Sequence, residues 1–281
     1  MTSMNNTLVI PFCEELIKKL HKRSLLVETD NVSNIIRIRD IVYFNNYLSG
    51  IKIMRPSASL SDVEYIKEWS NIPLIFYYRN IGDLFSILSK IDIIRQLDVI
   101  FMLSSSAIEN YSGLKILSSL KIRCGLFFDG NVDEDLFSDL ATYSFLSPIQ
   151  HADIEPFDYI LKNLYGNKRI EIESLYHNSP NQYLHIDEQE NIALTKEKLI
   201  STDFISQGID TLNTISWDDL INYKMEHFYS HFINLDKCAC CSSMKICGGF
   251  FLDKLINCST ILSDIYEDAE LCHQKNYNKK K

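Results

Sequence analysis

Continuous apolar runs alternate with amphipathic stretches over much of the chain. The runs Leu74–Tyr78, Val99–Leu103 and Cys124–Phe128 are typical of strands that are buried on both faces. Each run is followed by a segment with helical spacing, and the pair recurs about every 24 residues, as βα units do. The pattern therefore predicts parallel strands joined by crossover helices, in an α/β fold arranged as an open or partial (β/α) barrel. The regular part is too short for the eight units of a complete barrel.

The pattern is less regular near the N-terminus and at the end of the βα repeat. Residues Ile10–Arg23 have the spacing of an amphipathic helix, whereas Leu25–Val27, Ile35–Ile38 and Ile41–Phe44 are short enough for strands. Phe145–Ile149 is the predicted fourth strand of the βα repeat.

The periodicity changes after Gly166. Tyr183–Ile186 and Asn191–Leu194 flank a polar tetrapeptide and predict a β-hairpin. A helix is expected from Trp217 to about Phe232, and a short hydrophobic one over Phe250–Ile256. We therefore predict a βα domain over residues 1–170 and a cysteine-rich domain over residues 171–281.

Composition and charge narrow the class of protein. The 281 residues are 46% hydrophobic, which is ordinary for a globular chain, and the formal net charge is −9. That acidic balance argues against a protein that binds nucleic acid through its phosphates. No run reaches the ~18 apolar residues of a membrane span, and no signal peptide is recognisable. A cytoplasmic location with reduced thiols is expected.

The eight cysteines are distributed unevenly. Cys13 and Cys124 are isolated and are best explained as small apolar side chains. In a reducing compartment, clustered thiols indicate metal ligation rather than disulfides. The clustered set comprises Cys238, Cys240, Cys241, Cys247, Cys258 and Cys272.

Three of these thiols have the spacing of a metal-binding loop. In Cys238-x2-Cys241-x5-Cys247 the CxxC pair can reach one centre, and the two glycines that follow Cys247 permit tight backbone turns. The predicted fourth ligand is Cys272, with Cys258 as its main rival, and Cys240 could substitute for either member of the CxxC pair. Four thiolates suit both tetrahedral zinc and a [4Fe–4S] cluster, and the spacing leaves both open.

The segment 235–272 resembles the SPASM domain of radical SAM (S-adenosylmethionine) enzymes that modify ribosomally made peptides. That family carries a CxxCx5CxxxC run followed by a last cysteine. The resemblance implies that Cys238, Cys241, Cys247 and Cys272 hold an auxiliary [4Fe–4S] cluster. The hairpin ahead of a helix and the cysteines is also similar to the family's layout, whereas the βα region is similar to a radical SAM barrel in pattern only.

Two departures from the family limit the implied chemistry. Phe251 occupies the fourth cysteine position of CxxCx5CxxxC, so the family's second auxiliary cluster is not expected. The radical SAM signature CxxxCxxC is absent from the sequence, and with it the three thiolates that leave an iron open to S-adenosylmethionine. We therefore expect neither S-adenosylmethionine as a cofactor nor radical chemistry, and no catalytic residue is assigned.

The combination resembles SPASM proteins that lack the catalytic cluster, such as the maturases of grasp-with-spasm systems and related pseudo-radical-SAM proteins. This resemblance implies an accessory role in peptide maturation, with a precursor peptide or an ATP-grasp ligase as partner. The alternatives are a zinc-stabilised α/β binding protein without catalytic activity and an enzyme whose active site at the βα mouth carries no recognisable motif.

The other polar clusters in the sequence can be explained without a catalytic or binding site. The acidic stretches Asp133–Asp135 and Asp187–Glu190 fit helix starts and turns, and His227 and His231 fit the surface of a helix.

Overall fold

The computed structural model describes residues 6–54, 66–165, 170–229 and 236–278. In these ranges, strands and helices alternate, and ten strands form a mainly parallel sheet flanked by helices. The strands are β1 (Thr7–Pro11), β2 (Ser24–Thr29), β3 (Tyr47–Met54), β4 (Leu74–Tyr78), β5 (Val99–Ser104), β6 (Cys124–Phe127), β7 (Ile154–Glu155), β8 (Tyr183–Ile186), β9 (Asn191–Ala193) and β10 (Ser206–Gln207). The helices are α1 (Glu14–Lys19), α2 (Asn34–Asn45), α3 (Ile91–Ile94), α4 (Ile108–Ser119), α5 (Glu134–Leu146), α6 (Phe157–Asn163), α7 (Ile172–Leu175), α8 (Lys196–Ile200), α9 (Trp217–Phe228), α10 (Asp236–Ala239), α11 (Met244–Cys247) and α12 (Cys258–Asn278).

The strand order confirms the α/β class. Along the sheet the strands follow the order β10-β9-β8-β1-β2-β3-β4-β5-β6-β7. β1 pairs in parallel with β2 and with β8, so that Leu8 lies between Leu25 and Leu184. β8, β9 and β10 pair antiparallel, which confirms the hairpin predicted from the polar Asp187–Glu190 turn.

The chain divides into two compact units, each assembled from three separate segments. The first comprises Met1–Phe76, Ser86–Val99 and Tyr176–Tyr229; the second comprises Tyr77–Phe85, Ile100–Leu175 and Ser230–Lys281. The hairpin belongs with the N-terminal strands because β8 adds to β1 in parallel. The limits of a SPASM-like domain stay a prediction.

The predicted βα strands are confirmed as β4, β5 and β6, but the predicted fourth strand is wrong. Residues Phe145 and Leu146 end helix α5, and the strand that follows is β7. The helix continues because Phe137, Leu140 and Ala141 are buried at helical spacing, and Phe145 extends the same face.

Several N-terminal predictions are also wrong. The apolar run Leu8–Ile10 forms strand β1, and the helix predicted over Ile10–Arg23 is confined to Glu14–Lys19. Ile35–Ile38 and Ile41–Phe44 are not strands but lie in helix α2, whose buried residues Ile35, Ile38 and Val42 follow a helical period. Strand propensity of β-branched residues was outweighed by the spacing of the buried positions.

Each unit has buried apolar residues that pack together. In the first unit Leu25, Leu26 and Val27 of β2 are all buried, as expected for a strand with parallel neighbours on both sides. In the second unit Phe137 and Phe157 of neighbouring helices pack with ring centroids 5.0 Å apart. No helix among the described residues combines the length and apolar character that crossing a membrane requires.

Candidate metal centre

The cysteine-rich segment folds into two short helices joined by a turn. Helix α10 carries Cys238, and helix α11 ends at Cys247. Gly248 and Gly249 follow with φ angles of 61° and 94°, a left-handed conformation that residues with a Cβ rarely adopt. The two glycines therefore let the chain reverse directly after the third cysteine. Beyond them, residues 250–254 form turns instead of the helix predicted over Phe250–Ile256.

Four thiols share one cavity in this segment. The cavity measures about 290 Å³, and Cys238, Cys241, Cys247 and Cys258 line it together with apolar side chains such as Leu262. Three of the predicted ligands are thus brought together, and the fourth lining thiol is Cys258. It reaches the cavity because it begins helix α12 and no helix precedes it over residues 250–256.

Cys272 and Cys240 lie elsewhere. Cys272 belongs to helix α12, as Cys258 does, and is buried. The two residues are 14 positions apart, which corresponds to about 21 Å along a helix that rises 1.5 Å per residue. One compact centre therefore cannot take thiolates from both. Cys240 is exposed and does not line the cavity.

The environment of Cys247 differs from that of a surface thiol. Burial raises the pKa of Cys247 to about 11, even though the backbone amides of Phe251 and Gly249 donate hydrogen bonds to its sulfur and act in the opposite direction. The Phe251 amide nitrogen lies 3.4 Å from Sγ of Cys247. Burial raises the pKa of Cys238 as well. Such thiols stay protonated at neutral pH unless a cation replaces the proton, while amides that point at a sulfur stabilise a metal-bound thiolate.

Phe251 is a core residue. It occupies the position of the fourth cysteine in the CxxCx5CxxxC run of SPASM domains. Its side chain is fully buried, and its ring centroid lies 5.4 Å from that of Phe128, 5.7 Å from that of Phe137 and 5.0 Å from that of Phe250. These rings anchor the cysteine-rich segment to β6 and α5 within the second unit. The position is thus used for packing rather than for ligation.

Thiols are the type of ligand that zinc and iron–sulfur centres take from proteins. No disulfide joins any of the eight cysteines, all of which lie in the described part of the chain. As placed, no three histidine, cysteine or carboxylate side chains among the described residues lie close enough together for one metal ion. The cavity of about 290 Å³ has several times the ~30 Å³ that one water occupies in the liquid. The cavity thus has room for a bound inorganic group, and the thiols would have to move closer together to share one metal ion.

Cys124 and Asp133, which were also considered from the sequence, have structural roles. Burial raises the pKa of Cys124, whose thiol donates to the carbonyl of Leu114. Asp133 caps helix α5 by accepting from the amide of Leu136 at 3.0 Å, as its position predicted. His231 lies outside the described residues, and the side chain of His227 is not among those described.

Compared with protein-family models and with curated proteins, the sequence matches no family and no curated protein.

Proposed function

We propose that this chain is an accessory protein in the maturation of a ribosomally synthesised peptide and that it holds one thiolate-ligated [4Fe–4S] cluster. The observation that carries the proposal is the cavity shared by Cys238, Cys241, Cys247 and Cys258. The spacing of the first three cysteines and the double glycine, which resemble those of a SPASM domain, supports it as well. On this proposal the parallel strands correspond to the partial barrel of that enzyme class.

The proposed ligands are the four thiols that line the cavity. We propose Cys258 as the fourth ligand in place of Cys272, because it lines the cavity and the helix separates these two residues by about 21 Å. The amides of Gly249 and Phe251 would hydrogen-bond the thiolate of Cys247, a contact that tunes such centres. The prediction for Cys272 is tested by the same experiment.

The centre would have a structural role. When bound, a cluster with four protein thiolates cross-links the chain and offers no open iron to a substrate. It would tie helix α10, the turn after α11 and the start of helix α12 into one body. Without a cluster, burial raises the pKa values of the Cys238 and Cys247 thiols. The segment is then stabilised by packing alone.

The sheet limits how a precursor peptide could bind. The strands at the two ends of the strand order, β10 and β7, are each two residues long. Short end strands offer few backbone groups for an added strand. Recognition of a precursor or of an ATP-grasp ligase would therefore rest on side-chain surfaces more than on an extended backbone ladder.

Metal analysis after anaerobic purification tests the centre. We expect a brown protein with about four irons per chain, broad absorption near ~400 nm and acid-labile sulfide. Cys258→Ser should lose the iron, whereas Cys272→Ala and the control Cys240→Ser should retain it. Loss of iron in Cys272→Ala with retention in Cys258→Ser would restore the ligand set predicted from the sequence.

The second candidate is a zinc-stabilised binding protein, which the same four-thiol donor set favours. A colourless protein with one zinc per chain would establish it and overturn the iron–sulfur proposal. The maturation role has a separate test, the genes beside this one. A neighbouring ATP-grasp ligase and a short precursor gene support the role, and their absence contradicts it.

A further inference from the structure

Two thiols of the metal-centre cavity, Cys238 and Cys241, are three positions apart and are joined by one backbone turn. The amide of Cys241 donates to the carbonyl of Cys238 at 3.2 Å. A hydrogen bond between residues i and i+3 closes a turn of the 3₁₀ type, in which the chain rises about 2.0 Å per residue and the two side chains are eclipsed. The Cα atoms of the two cysteines are therefore about 6 Å apart, and both side chains leave the backbone on the same side.

This spacing is the one that a disulfide bond requires. The Cα atoms of disulfide-bonded cysteines usually lie about 4.4–6.8 Å apart. Cys238 and Cys241 line the same cavity, and both are free thiols in the structure. A bond between their sulfur atoms therefore needs rotation of two side chains within one turn and no rearrangement of the fold.

The thiols of the cavity differ in their access to solvent. Cys238 and Cys247 are each 7% exposed, whereas Cys241 has intermediate exposure. The sulfur of Cys247 is also held in place by the amide nitrogen of Phe251 at 3.4 Å. A soluble oxidant therefore reaches Cys241 before it reaches Cys238 or Cys247, and the nearest thiol along the turn is that of Cys238.

Two other thiols could compete with Cys238 for Cys241. Cys258 lines the cavity with intermediate exposure, but it lies on a different element, at the start of helix α12. Cys240 is exposed and adjacent in sequence to Cys241. The Cα atoms of adjacent residues are only about 3.8 Å apart, which is below the range of unstrained disulfides. The turn thus favours Cys238 as the partner of Cys241.

We propose that Cys238 and Cys241 form a reversible disulfide when the cavity holds no metal, so that oxidation of this pair and metal binding exclude each other. The exclusion rests on the proposed function, which takes both residues as ligands, whereas the disulfide itself does not. A metal is bound by thiolates, and a disulfide offers none. Disulfides in reducing compartments are usually transient and often sense the redox state. The pair makes metal occupancy of the centre depend on that state.

Thiol–disulfide exchange with a small disulfide such as oxidised glutathione supplies the chemistry. The thiolate of Cys241 attacks one sulfur of the glutathione disulfide, which releases one glutathione and leaves a mixed disulfide on Cys241. The thiolate of Cys238 then attacks the sulfur of Cys241 and releases the second glutathione. The two protein thiols lose two protons and two electrons in total, and the glutathione disulfide takes them up as two thiols.

Mass spectrometry of the full-length protein tests the disulfide separately from the metal. Metal is removed with a chelator under reducing conditions, the protein is treated with oxidised glutathione, and free thiols are alkylated before digestion with trypsin. Cleavage after Lys237 and Lys245 places Cys238, Cys240 and Cys241 in one peptide. We expect an internal disulfide in this peptide, which dithiothreitol should reverse. A peptide without an internal disulfide after oxidation would overturn the proposal.

Variants identify the pair. Cys238→Ser and Cys241→Ser should each abolish the internal disulfide. The control Cys240→Ser changes the exposed neighbour of Cys241, which does not line the cavity, and should retain the disulfide. An internal disulfide that survives in Cys238→Ser, or one that is lost in Cys240→Ser, would overturn the assignment to Cys238 and Cys241.

Metal uptake tests the exclusion and separates it from the proposed function. The probe is zinc alone, which thiolate sites bind. The metal-free protein should take up zinc when its thiols are reduced, and it should not do so after oxidation until a phosphine reductant is added. Equal zinc uptake by the oxidised and reduced forms would overturn the exclusion. A reduced protein that takes up no metal although its disulfide forms would overturn the proposed centre and support the redox pair alone.

Discussion

Replacing Phe251 by cysteine tests whether this position serves packing or ligation. The substitution creates the CxxCx5CxxxC run that is typical of the SPASM family and that this chain lacks. If the family pattern alone governed the position, Phe251→Cys would add a metal ligand. The structure predicts instead that the variant loses stability without gaining metal, because the side chain is fully buried among aromatic rings.

The magnitude follows from the contacts that are lost. Truncation of a buried phenylalanine to alanine costs about 3–5 kcal/mol, which includes the cavity that remains. Cysteine keeps one more heavy atom than alanine, and we therefore expect a loss of about 3 kcal/mol. The loss includes three aromatic contacts, those of Phe251 with Phe128, Phe137 and Phe250. For a unit of this size such a loss lowers the melting temperature by about 10 °C.

Thermal unfolding followed by circular dichroism measures the effect, with iron and zinc content determined on the same samples. Phe250→Cys is the matched control because it introduces the same thiol at the adjacent position. The side chain of Phe250 is only half-buried. It should lower the melting temperature by less than half as much. An unchanged melting temperature in Phe251→Cys together with doubled metal content would refute the packing argument.

Two further predictions concern buried carboxylates. Glu28→Gln should destabilise the protein by about 3 kcal/mol at pH 7, because it leaves Lys52 buried as an uncompensated cation. Without Glu28 the pKa of Lys52 falls below its wild-type value of about 8, so the loss measured by urea unfolding should shrink as pH rises toward about 8; a constant loss would contradict this reason. Burial raises the pKa of Glu155 to about 7, so the folded state binds a proton more tightly than the unfolded state, and stability falls as pH rises from about 4.5 to 7. Glu155→Gln should therefore stabilise the protein by up to about 3 kcal/mol at pH 8 relative to wild type, and by much less at pH 5. Urea unfolding at the two pH values measures this difference. An equal effect at both would show that the titration of Glu155 is not its cause.

The sequence predicted best those elements whose pattern was strong and local. The apolar runs that became β4, β5 and β6 each lie between two neighbouring strands inside the sheet, and their runs of apolar residues are continuous. The Asp133 cap and the hairpin turn are likewise local, since a side chain there bonds to backbone only a few residues away.

Elements that depend on distant contacts were predicted less well. Strand β1 contains a short apolar run that also fits a helix, and it becomes a strand because β2 and β8 pair with it from both sides. The ion pair of Glu28 with Lys196 in the first unit was not predicted at all. The two residues are 168 positions apart, and no motif connects them, although Nζ of Lys196 lies 2.8 Å from a carboxylate oxygen of Glu28.

The position of Cys258 was misjudged for a reason that links it to Phe251. The apolar run Phe250–Ile256 has the composition of a buried helix, and such a helix would carry the next cysteine away from the loop. The ring of Phe251 instead packs against other aromatic rings in the core. Phe251 comes soon after the left-handed turn at Gly248 and Gly249. The chain then continues in turns over residues 250–254 rather than in a helix. Phe251 thus serves packing, and the turns that follow it place Cys258 at the start of α12, where it lines the cavity. On this account, Phe251→Cys should weaken metal retention by Cys258 rather than supply a replacement ligand.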